Sequence, residues 1–147
     1  MKVDVRRGRL IVLDAVEPRV SARHRTAVYA MTEDGAVLQV IRPAHDPRCG
    51  PLLRPFALAL DRAANPLVSD GDRLLQFCAE DGRYVATLIG DNNAATSESE
   101  DKPGPPADGR ALQVRGIAVS GTEREQVLFA VITGDRFAQI RAFALRS

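Results

Sequence analysis

Residues 54–90, RPFALALDRAANPLVSDGDRLLQFCAEDGRYVATLIG, decide the fold class. Short apolar runs alternate with turn signals every five to eight residues. The runs FALAL (56–60), PLVS (66–69), RLLQFCA (73–79) and RYVATLI (83–89) are too short for ordinary helices, and none carries a sustained 3.6-residue stripe. Asp61, Asn65, Asp70-Gly71 and Asp81-Gly82 punctuate them. Asp-Gly between two strand-like runs is a strong hairpin signal, because the turn needs a positive φ that glycine adopts without a Cβ clash.

The pattern recurs on both sides. AVYAMTEDGAVLQVI (27–41) has the plan of LLQFCAEDGRYVATLI (74–89), and their Glu-Asp-Gly triplets, 33–35 and 80–82, lie 47 residues apart. Downstream, QVRGIAVS (113–120) matches RPFALALD (54–61), and Phe143 takes a place like that of Phe77. Three units emerge. Strands are expected at 3–6, 9–14, 25–32 and 36–42, then at 56–61, 66–69, 73–79 and 83–89, then at 114–119, 127–132 and 136–145, with no fourth strand in the last unit. Four short strands per 40–50 residues is the spacing of propeller blades. The expected fold is therefore all-β: a partial β-propeller of about three four-stranded blades, near 1–45, 54–90 and 112–147. A compact β-sandwich of the same strands is the alternative.

Residues 54–90 resemble an NHL repeat. Pro55, Asp61, Asp70, Arg73, Phe77, Asp81, Gly82 and Gly90 stand where that pattern has its proline-led inner strand, turn acids, aromatic strand end, hairpin and terminal glycine. The third unit matches less well and the first least, with a loop at 15–24 in place of a tight turn. The resemblance implies a binding module. In tripartite-motif ubiquitin ligases such propellers form the C-terminal part and recruit substrates. It also implies a ring of about six blades, so further blades would come from a longer chain or a second copy.

Composition agrees with an ordinary globular protein of 147 residues, 45% hydrophobic and 27% charged, without tryptophan. A net charge of +1 gives no overall pull toward nucleic acid or an anionic membrane. No apolar run reaches the roughly 20 residues of a membrane span. The N-terminus lacks a secretory apolar region, so a cytoplasmic location is expected. Charge is uneven locally. Residues 1–30 carry seven basic against three acidic side chains, and 91–109 carry five acidic against one basic. The latter stretch, DNNAATSESEDKPGPPADG, is expected to be a flexible spacer, with Thr96, Ser97 and Ser99 beside acids as the alternative, docking or phosphorylation, use.

A non-catalytic protein-interaction module is the leading functional expectation. RNA binding is second, with Arg6, Arg7, Arg9, Arg19, Arg23 and Arg25 as candidate partner or phosphate contacts, although a plain solvated basic face explains them too. Stacking aromatics are not interleaved with these arginines. A propeller hydrolase or lyase with Ca²⁺ or Zn²⁺ is third. It would need acids converging on inner-strand ends, and Asp61 has Ser120 as its counterpart in the third unit. His45, Asp46 and Cys49 are close in sequence but lack structural-zinc spacing, and no catalytic motif stands out, so neither catalytic residues nor a metal or cofactor is expected. Cys78, in QFCA, reads as a core residue, while the burial of Cys49 is left open.

Overall fold

The computed structural model describes residues 1–14, 27–43, 46–90, 113–134 and 136–145. The protein is all-β in these residues, with eleven strands in three antiparallel sheets. The first sheet is β1 (Lys2–Asp4), β2 (Arg9–Asp14), β3 (Ala27–Met31) and β4 (Val37–Ile41). The second is β5 (Pro55–Leu60), β6 (Pro66–Asp70), β7 (Arg73–Phe77) and β8 (Tyr84–Ile89). The third is β9 (Gln113–Gly121), β10 (Gln126–Thr133) and β11 (Ala138–Leu145). Each sheet is a meander in chain order. The strand bounds and the three-stranded third sheet match the sequence expectation to within a few residues.

The second sheet lies between the other two, and its alternation assigns each side chain to a neighbour. Leu58, Val68, Leu75 and Phe77 pack with Ile11, Val28, Ala30 and Ile41 of the first sheet. Their chain neighbours Ala59, Leu67 and Leu74 pack with Leu128 and Leu145 of the third. Strand β6 is consequently buried at all five positions. This explains why PLVSD shows no polar alternation: a strand covered on both faces reads as a continuous apolar run. The closest approaches between strands of different sheets all involve β5 or β9, the first strands of their sheets.

The turns separate two hairpins that look alike in sequence. Gly35 and Gly82 both have positive φ, 91° and 71°. In the first, the Thr32 amide donates to the Ala36 carbonyl across the three residues 33–35. In the second, the Cys78 amide donates to the Arg83 carbonyl across the four residues 79–82. The extra residue shifts the repeat. Tyr29 pairs with Val12 and Val40, and Leu75 pairs with Val68 and Thr87, so strands β3 and β7 correspond at an offset of 46, one less than the triplets.

The connection from the first to the second sheet is anchored by the Asp70–Arg73 ion pair. Asp70, 3% exposed, accepts the Arg73 guanidinium at 2.7 Å and the backbone amides of Leu53 and Arg54. Arg73 also donates to the carbonyls of Cys49 and Pro51. Cys49 is buried in the core between the first two sheets, and desolvation pushes its thiol up to about 11. Cys78, expected in the core, is only half-buried. The side chains of β7 alternate, and Phe77 fills the core position beside it.

Candidate functional site

Arg6 and Arg7 fall in the β1–β2 turn and Arg9 opens β2, where the hairpin ends of all three sheets come together. Asp4 ends β1 with a fully buried carboxylate. It accepts Nε of Arg9 at 2.9 Å, and Arg7 from both guanidinium and backbone amide. Arg9 reaches on to the Ala79 carbonyl at 2.6 Å. Arg7 donates to the Ala63 carbonyl and pairs with Glu80. Arg6 pairs with Glu123 in the β9–β10 turn. One tetrapeptide turn and its flanks thus tie three hairpins together.

This placement corrects the expectation for Arg9. It is 9% exposed, and its guanidinium is committed to a buried carboxylate and a carbonyl, so it offers no surface to a phosphate. Arg9 is directly opposite Asp4 in the β1–β2 register and supplies the buried carboxylate with a cation. Arg7 is partly exposed and faces carboxylates. Its pKa is raised above the ordinary arginine value, chiefly by the Glu80 hydrogen bond. Arg6 is half-exposed and paired. Arg19, Arg23, Arg25, His24, His45 and the 91–109 segment lie outside the described residues. Among the described residues no three His, Cys, Asp or Glu side chains converge as metal ligands.

Asp61 is the second acid at this end, and its role is structural. One carboxylate oxygen accepts the amides of Ala63 and Asn65, and the other accepts Nδ2 of Asn65 and Nε2 of Gln76. That network holds a three-residue turn in which Ala64 has a φ of +66°. Its counterpart in the first unit is Asp4, which likewise closes the turn after its sheet's first strand, a match hidden because the two turns differ in length. Between Asp4 and Asp61 lies a shallow depression lined by Val3, Val5, Leu60, Ala64 and Val119, with Arg6 and Arg62 beside them. Val5 is 85% exposed.

Two further surfaces stand out, and sequence periodicity alone did not mark them. On the face of the third sheet turned away from the second, Ala118, Phe129 and Ala142 form one cross-strand row, and Gly116, Val131 and Ile140 the next. Ser120, Val127 and Ala144 form a third row. These rows hold no charged side chain. Ile140 is 74% exposed and Phe129 39%. On the outward face of the first sheet, Val3, Leu10, Met31 and Val37 form a row beside Val12, Tyr29 and Val40, again without charge. The next row of that face, Asp14 with Ala27, brings in a charge at its edge.

No helix among the described residues is long and apolar enough to cross a membrane. Comparison with protein-family models, with curated proteins and with solved structures finds no match to this chain.

Proposed function

We propose that this chain is a non-catalytic protein-binding module, a partial propeller whose tied hairpin end presents the binding surface. The observation that carries it is the combination at that end: an apolar depression around the exposed Val5 with Arg6 and Arg62 beside it, held by Asp4, Arg7 and Arg9. An apolar centre with a polar, arginine-containing surround is the chemistry of protein interfaces, and loops on a rigid scaffold are where such sites are built. Three successive meanders, with the closest approaches between sheets all including the first strand β5 or β9, support the propeller form over a sandwich. The resemblance of residues 54–90 to NHL repeats extends the proposal to recruitment of a protein partner, as in ubiquitin ligases of the tripartite-motif type. Asp4 and Asp61 have their oxygens engaged by the fold itself, an arrangement of structural ties and not of a general acid or base. Arg6, Arg7 and Arg9 face carboxylates and carbonyls, which weighs against the RNA alternative at this end.

The test is selection of a displayed peptide library on the purified chain, with counter-selection on the Val5→Asp and Arg62→Glu variants. Enriched peptides should bind the natural sequence and lose at least tenfold in affinity to either variant. Absence of enrichment, or binding that both variants retain, would overturn the proposal.

A further inference from the structure

We infer that two copies of this chain associate head to tail, the open face of the third sheet of one packing on the open face of the first sheet of the other. The inference is independent of the loop-end binding surface. It rests on the repeat. Within the chain, the face of the second sheet that carries Leu75, Phe77 and Tyr84 is covered by the first sheet. Tyr29, Met31 and Val37 hold the same register positions in the first sheet as Leu75, Phe77 and Tyr84 in the second. They lie on a face left partly or largely exposed. What covers that kind of face inside the molecule is the opposite kind of face of the preceding sheet. The third sheet leaves one of that opposite kind open, with Phe129 and Ile140 upon it.

Front meets back at both internal interfaces, so the natural occupant of each open face is the other open face, on a second copy. Such a contact uses two different patches and therefore closes into a ring or grows without end. The closest approaches between sheets all include β5 or β9, the first strands of the second and third sheets. Closure at two copies, with three sheets from each, covers all four open faces.

Solution mass by light scattering on the purified chain is the test, with Ile140→Glu for one face and Val37→Glu for the other. Both side chains are more than half exposed, so the single chain folds with either change. Circular dichroism checks this. The natural sequence should give twice the 15.9 kDa chain mass. Each variant alone should give a single-chain mass. An equimolar mixture of the two should recover a two-chain species, because one keeps an intact first-sheet face and the other an intact third-sheet face. A monomer at about 100 μM, well above the concentration at which a specific dimer forms, would overturn the inference. So would a dimer lost in only one variant, which marks a face pairing with itself. Mass that climbs steadily with concentration would overturn closure at two copies.

Discussion

The two Glu-Asp-Gly hairpins share a triplet and little else. The one at 33–35 stands in solvent: a Cβ built on Gly35 meets nothing within 4 Å, and its acids are exposed. The one at 80–82 is pressed against the first sheet. A Cβ on Gly82 would lie 2.8 Å from Cγ1 of Ile41 and 2.9 Å from Nε2 of Gln39. Ala79 accepts from Arg9, and Glu80 pairs with Arg7. The first hairpin belongs to its own sheet, while the second is part of the junction between sheets. A local motif therefore fixes the turn, and its position in the stack fixes what the turn is worth.

That contrast can be broken most forcefully from the far side of the junction. Arg9→Met should remove the buried partner of Asp4 and the tie to Ala79, costing about 3 kcal/mol, as loss of one member of a buried pair does. Chemical denaturation measures it. An unchanged midpoint would mean that Arg7 alone satisfies Asp4. A smaller effect is expected inside the hairpins. Gly35→Val places a β-branched residue at positive φ and should cost about 1 kcal/mol. Gly82→Val adds displacement of the buried Ile41, and should cost about 2 kcal/mol or more. Equal losses in thermal unfolding would show that the first sheet yields freely and that the two hairpins are equivalent after all.

The smallest effect is electrostatic. Asp34 and Asp81 both titrate below the usual aspartate value of 3.8, Asp34 through the Thr32 hydroxyl and Asp81 chiefly through the Arg83 amide. A lowered folded-state pKa adds stability above the unfolded value, and that contribution disappears as pH falls through the lowered one. Carboxyl NMR titration should place both midpoints below 3.8. Thr32→Ala should return Asp34 toward its usual value and leave Asp81 unmoved. If Asp81 moved as well, the two turns would be coupled.

Much of the architecture was legible because it is written in short-range signals. Strand runs, Asp-Gly turns and the 47-residue repeat gave three meanders with nearly correct bounds. The triplet spacing concealed the 46-residue offset of β3 and β7, since one added turn residue is invisible without the register. The site was less legible because its parts are long-range. Arg9 looks like its neighbour Arg7 in sequence. Only the β1–β2 register places it against Asp4, and only sheet packing brings Ala79 to it. Cys49 sits in a proline-flanked loop, and its burial comes from the core between the first two sheets, with its carbonyl held by Arg73, 24 residues away. The uncharged rows on the outer sheets were not legible, because which face is covered depends on the order of stacking.

The complete enclosure of β6 sets where opening of this molecule must begin and end. Leu67 and Val68 are paired on both sides in the plane of the sheet and covered on both of its faces, so their amides should be among the last to meet solvent deuterium. The outer meanders, each anchored to the middle sheet along one face, can detach singly. Exchange rates should therefore form a gradient from the ends of the stack inward, with the slowest amides reporting the unfolding of the whole chain.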